Sequence, residues 1–239
     1  MVQSDPSLRL PTSDELPCSD DTPVDNEDQN FVPNLLLFIL EVIWADRIDW
    51  YWGVDMGIYH TTGVSPLVPV IPDGFLSLGV ERRKNNQSRK SYVLWEEEYI
   101  SPILALELVS LTYGGEYDSK MEIYARLGVQ YYIIYNPIYW RRDQHLPLEV
   151  YRLVDGVYRL QIGEPFWMSE IGLGIGRGLY HSGPVQREVL YWYDPLGHRY
   201  PTPEERVQQA ELEAEQARTQ AEQLQQELER YRQRFGELS

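Results

Sequence analysis

The stretch from Leu104 to Tyr135, LALELVSLTYGGEYDSKMEIYARLGVQYYIIY, constrains the fold of this chain more than any other. Its apolar period changes from two to about 3.6 and back, which predicts a buried strand, a glycine turn, a helix and a second buried strand. In the first strand Leu104, Leu106 and Leu108 fall on one face, with Ala105, Glu107 and Val109 on the other. The helix is expected to begin near Glu116 or Tyr117, after Gly114-Gly115, and to end at Gly128, since glycine accepts the left-handed conformation that stops helices.

Glu107 does not fit an otherwise apolar strand. A buried carboxylate needs a partner, because an unpaired buried charge is costly. One candidate is a cation held jointly with Asp73, from the dipeptide Pro72-Asp73 one element upstream; the other is Lys120. Lys120, Ile123, Tyr124 and Leu127 share one helix face at i, i+3, i+4, i+7 spacing, so Lys120 points toward whatever the helix packs on. If that is the sheet, Lys120 can approach Glu107. Taken alone, Asp73-Gly74 also suits a tight turn.

The order PDGF (72–75), LELVS (106–110) and YDSKMEIYARLGVQYYIIYNP (117–137) resembles the Uma-two family of restriction endonucleases, a branch of the PD-(D/E)xK nuclease superfamily, over roughly residues 31–180. The resemblance implies an α/β fold: a restriction-endonuclease-like mixed sheet flanked by helices. It also implies that Asp73, Glu107 and the main-chain carbonyl of Leu108 hold Mg²⁺ or Mn²⁺, and that DNA is the substrate. The superfamily normally places a lysine two residues after the Glu, where this chain has Val109. In the resembled family that lysine is commonly supplied from the next helix, where Lys120 lies. Superfamily members often bring an acid of the first core helix near the metal, which makes Glu41 a candidate; a helix-surface carboxylate is the plainer alternative. Val109 and the acidic balance of the chain support a second reading, a non-catalytic nuclease-like domain that serves as a protein-interaction or assembly module.

The net charge of −16 opposes a simple nucleic-acid-binding reading, because affinity for phosphates comes mainly from Lys and Arg. Its distribution softens the objection. Residues 1–30 contribute −7, residues 201–239 contribute −4, and the 170 residues between them only −5. Residues 81–90, ERRKNNQSRK, form one strongly basic run; it reads equally as a solvated loop or, if the protein binds DNA, as the expected phosphate contact together with Arg141-Arg142. The three glutamates after Trp95 are expected to be exposed, since three consecutive carboxylates cannot all be buried.

Domain organisation reads as an acidic, flexible or wrapping arm over 1–30, a nuclease-like domain over 31–200, and a helical tail over 201–239. Phe31 to Ala45 has helical periodicity but is shorter than the roughly 20 residues a membrane span needs. No membrane is therefore expected as a partner. Cys18 is the single cysteine, which excludes an internal disulfide and a cysteine metal cluster, and no secretory signal is evident. A cytoplasmic protein is expected. Further along, an aromatic strand or bent hairpin is expected over Trp50–Val54 and Gly57–Tyr59, a strand carrying Pro72-Asp73 over Val68–Leu78, and a hairpin about Asp155-Gly156. The alternating glycines 172, 174, 176 and 178 read as a bent strand or loop, not a dinucleotide-binding loop, and the four histidines lack ligand-like spacing.

In the tail, Val207, Ala210, Ala214, Ala217, Ala221, Leu224, Leu228, Tyr231 and Phe235 recur at alternating intervals of three and four, a heptad pattern. A coiled coil and a single exposed helix both remain open, because alanine dominates the first half. A two-fold homodimer is expected, since cutting both strands of a duplex needs two sites. The aromatic segments at 50–59 and 131–140 are expected to contribute to it at least as much as the tail.

Overall fold

The computed structural model describes residues 9–17 and 26–236. Residues 1–8 and 18–25, Cys18 among them, lie outside the described residues. Two compact units make up the chain, residues 1–200 and 201–239.

In the first unit, helix α1 (Glu27–Ile43) starts four residues earlier than the apolar periodicity suggests, because Asn26 caps it by accepting from the Asp28 and Gln29 amides. A six-stranded sheet follows. Its order is β1 (Trp50–Val54), β3 (Gly74–Leu78), β5 (Leu104–Leu108), β6 (Tyr131–Tyr135), β7 (Leu148–Val154) and β8 (Val157–Leu160). All neighbours are antiparallel except β5 and β6, which run parallel and are joined through helix α2 (Ser119–Leu127). Parallel neighbours need such a crossover, and the 104–135 pattern encodes it. The chain is thus a mixed α/β structure with a mixed sheet flanked by helices.

The two faces of β5 build two cores. Leu104, Leu106 and Leu108 pack with α1 residues such as Leu36 and Ile39 and with Trp52, whereas Ala105 and Val109 join Tyr124, Val129 and Tyr132 on the α2 side. Beyond α1 lies a three-stranded sheet of β9 (Phe166–Met168), β10 (Leu173–Ser182) and β11 (Val185–Tyr193). Trp192 ties it to the helix, donating from Nε1 to the Leu36 carbonyl at 2.9 Å. The alternating glycines lie largely within β10; a Cβ at Gly178 would meet the Tyr191 ring at 2.8 Å, so close strand packing requires the missing side chain.

Several expectations are altered by tertiary context. The strand expected over Val68–Leu78 is confined to Gly74–Leu78, with a single bridge from Val70 to Ile58, because Pro69 and Pro72 supply no ladder donor. Strand β2 (Ile58–Tyr59) pairs in parallel with β4 (Tyr92–Val93), not with its neighbour β1. Asp155-Gly156 does close the β7–β8 hairpin, both residues having positive φ. Described residues 9–17 wrap the body and are not loose: Leu16 is buried with Tyr59 and Val93, and the Tyr59 hydroxyl donates to the Pro17 carbonyl at 2.7 Å. The aromatic segments expected at a dimer contact are largely core, with Trp50, Trp52, Tyr131, Tyr132 and Tyr135 all buried. Ile138 at 59% exposure and the short helix α3 (Trp140–Asp143) are what the second segment leaves at the surface.

The second unit is helix α4, Pro203–Phe235, with Thr202 and Glu205 forming a capping box. None of its residues is buried. Among the described residues no helix is long and apolar enough to cross a membrane.

Candidate active site

Three elements of the first unit converge on Glu107. Strand β5 carries it onto the α2 face, where its carboxylate is 1% exposed. Helix α2 supplies two donors from one face. Lys120 Nζ donates to Glu107 Oε2 at 2.8 Å, and the Tyr124 hydroxyl donates to Oε1 at 2.6 Å. Lys120 also reaches the Ile71 carbonyl at 3.3 Å, so its ammonium sits between β5 and the segment leading into β3. The helix begins at Ser119, later than Glu116 or Tyr117, because Asp118 caps it, and Gly128 closes it at φ +76°. Ahead of that cap the glycine turn is obligatory: Gly115 has φ +82°, and a Cβ there would lie 2.2 Å from the Ser119 hydroxyl.

Asp73 precedes β3 directly and is not in a tight turn. The register Gly74 opposite Leu106, carried one step further, puts Asp73 across from Glu107. Its carboxylate Oδ2 accepts from the Leu108 amide at 2.6 Å, and Oδ1 accepts from the Gln29 side chain at 3.4 Å. Leu108, whose carbonyl the resemblance assigns to the ion, is therefore held to Asp73 through its own N–H. Gly74 allows this approach, since a Cβ there would come within 2.9 Å of the Trp52 ring.

The electrostatics follow from burial. Desolvation pushes the Asp73 carboxyl well above its ordinary value and repulsion from Glu107 adds to it, against the Leu108 amide and Lys120. Burial likewise raises Glu107, opposed by Lys120 and Tyr124. For Lys120, burial is the largest single effect and works to lower the value, but the charge and hydrogen bond of Glu107 together with the Asp73 and Glu116 charges outweigh it, so the net shift is upward and the ammonium persists. The Tyr124 hydroxyl is pushed well up by burial and then by the Glu107 charge, which keeps it a donor.

Among the described residues no group of three or more Asp, Glu, His or Cys could hold a metal ion. Two carboxylates and a carbonyl nevertheless fit a hard cation: Mg²⁺ takes one or two carboxylates and retains several waters. The donor set is all oxygen, and the mutual repulsion of its two acids is what a divalent ion would offset. Val109, at the usual lysine position, is 3% exposed and belongs to the apolar cluster on the α2 side.

Other expected residues lie elsewhere. Glu41 is half exposed and paired to Arg82 at 2.7 Å, twelve residues and about 18 Å along α1 from the Gln29 that touches Asp73. The basic run is mostly spent on internal pairs. Arg89 and Glu97 form a buried two-point pair at 2.9 and 3.1 Å, Lys84 reaches Glu97 at 3.3 Å, and Lys90 reaches Asp14 at 2.7 Å. Glu97 is thus buried, against the expectation for that triplet. Arg142 pairs with Asp143 at 2.6 Å and Arg141 lies over Trp140, both near the surface.

The family model Uma2, described as "Putative restriction endonuclease", matches residues 19–180. The chain belongs to the Uma2 family. The matched region includes Asp73, Glu107, Lys120 and Tyr124 and ends within β10, so α4 lies outside it. The structure is also similar to a crystal structure of a "putative nuclease belonging to DUF820" from Anabaena variabilis, at 13% identity and a TM-score of 0.42, over 61% of this chain and 73% of that one. No curated protein matches the chain. Two contacts of this Uma2 site were not assigned from the sequence. Tyr124 was on the correct helix face, one turn past Lys120, whereas Gln29 gave no signal, because it precedes the apolar periodicity of α1.

Proposed function

We infer that this Uma2 protein is a divalent-metal-dependent endonuclease that hydrolyses phosphodiester bonds of DNA. The observation that carries the reading is the convergence of Asp73, Glu107 and Lys120, from three separate elements, on one desolvated point beside the Leu108 main chain. In this reading Asp73, Glu107 and the Leu108 carbonyl hold Mg²⁺ or Mn²⁺. When bound, such an ion supplies an activated water and offsets charge on the phosphate. Lys120 then donates toward the attacking water or the phosphate oxygens, where a positive group stabilises the charge that develops. Tyr124 orients Glu107 from the side away from Lys120. A two-fold dimer would present two such sites to the two strands.

The test is cleavage of supercoiled plasmid with Mg²⁺ or chelator, run beside calorimetric titration of Mg²⁺ and Mn²⁺ into the protein. Asp73→Asn and Glu107→Gln should each abolish cleavage and weaken metal binding while the circular dichroism spectrum stays that of the parent. Cleavage by either variant would remove the site assignment. A parent that binds no metal and cuts nothing would favour the assembly-module reading, which Val109 in place of the usual lysine and the acidic balance support.

A further inference from the structure

Helix α4 is what the nuclease reading leaves unused. It runs 33 residues, about 50 Å, and none of them is buried. Its bulkiest seam residues, Leu224, Leu228, Tyr231 and Phe235, are each more than half exposed. A helix of this length with a continuous apolar seam is stable in water mainly when that seam is covered.

The charges beside the seam say what covers it. With Val207, Ala214, Ala221, Leu228 and Phe235 at heptad position a, position g holds Arg206, Glu213, Gln220, Glu227 and Arg234, and position e holds Glu211, Arg218, Gln225 and Arg232. In a parallel, in-register pair each g residue faces the e residue five positions on in the other copy. The facing pairs are then Arg206 with Glu211, Glu213 with Arg218, Gln220 with Gln225, and Glu227 with Arg232. Every charged pair is attractive and the remaining one is amide to amide. An antiparallel pair that lays Val207 beside Tyr231 brings g against g and opposes Arg206 to Arg234 and Glu213 to Glu227, both repulsive. Among the described residues none of the six charged members of the parallel set makes an ion pair within its own chain.

We propose that α4 docks on a second copy of this chain as a parallel, in-register two-stranded coiled coil. The partner is another copy because the g and e charges are complementary to themselves under that symmetry. Both bodies then attach at the same end of the coil, through Pro201 and Thr202. The proposal does not depend on catalysis, and its test reads mass and cross-linking only.

The full chain is prepared with Cys18→Ser, which removes its single thiol, and Ala210→Cys at a d position near the start of the seam. Mild oxidation should link two copies through position 210, because parallel register puts the two residues in contact while antiparallel packing separates them by more than about 30 Å. Sedimentation should give twice the chain mass. In the parent background Glu227→Arg should weaken the dimer about tenfold by placing like charges opposite each other twice, and adding Arg232→Glu should restore it. A monomeric parent at about tens of micromolar, a trimer, or a dimer that forms no link at position 210 would each overturn the proposal. So would a dimer indifferent to both Glu227→Arg and the paired change Leu224→Lys, Leu228→Lys.

Discussion

Removing the Lys120 ammonium while keeping its length, by Lys120→Met, tests how Glu107 is held. Breaking a buried pair by removing one partner typically costs about 3–5 kcal/mol, because an uncompensated charge is left behind. Here the loss has a ceiling, since Glu107 can take a proton. From its ordinary value of 4.5 to pH 7 is about two and a half units, which at about 1.4 kcal/mol per unit limits the cost to roughly 3 kcal/mol. At pH 5 the same reasoning leaves less than about 1 kcal/mol. The sign follows from linkage. In the variant the folded-state value of Glu107 is raised further above its unfolded value, so the native state binds the extra proton and stability is lost as pH rises. For a unit of this size the melting temperature should fall by about 7–14 °C at pH 7 and by only about 1–3 °C at pH 5. Glu107→Gln added to Lys120→Met should recover most of the loss, since a neutral amide needs no cation. Denaturant and thermal unfolding at the two pH values measure this directly. An equal loss at both, or a double variant no better than the single, would refute a charge-based role for the contact. Mg²⁺ adds a second readout. If the carboxylates bind it, a hundredfold excess over the dissociation constant should return about 2.7 kcal/mol to Lys120→Met; with no recovery, the contact is a structural ion pair.

Two further outcomes are expected. In chelator, the raised Asp73 carboxyl makes the folded state bind more protons than the unfolded one, so its contribution is most favourable below the ordinary range near 3.8 and declines as pH rises through the folded value. Unfolding curves between pH 5 and 8 should therefore slope less for Asp73→Asn than for the parent, and Mg²⁺ should erase that difference; identical slopes in chelator would contradict it. Arg89→Met, which leaves the buried Glu97 with Lys84 as its remaining cation, should cost up to about 3 kcal/mol yet leave the salt dependence of DNA binding unchanged. A stable variant that lost DNA affinity would return this loop to the phosphate-contact role.

Much of the core of this protein was legible as pattern. The strand, helix, strand unit at 104–135 could be read because period-two and period-3.6 burial are local properties of the chain, and Gly128 ends α2 for a reason contained in one residue. The partition of β5 between two cores, with Glu107 facing α2, follows from alternation alone. So does the helical face that carries both Lys120 and Tyr124. The Asp155-Gly156 hairpin was equally local, since positive φ at two successive residues is a demand that few sequences meet.

Where a residue's partner is distant in sequence, the chain was silent. Asp73 does not begin a turn, because β5 lies alongside and offers the Leu108 amide. Gln29 reaches Asp73 across 44 positions, and Arg82 is neutralised by Glu41 across 41. The basic run looked like a phosphate surface until Glu97, Glu41 and Asp14 came to it from elsewhere. The aromatic segments looked like interface for the same reason: composition records that Trp and Tyr need covering, and only the stacking of α1, the main sheet and the β9–β11 sheet determines that the chain covers them itself. Local periodicity settles which face of an element is buried. What that face meets, and whether a charge on it finds its counter-charge, is decided by packing between segments that no local pattern relates.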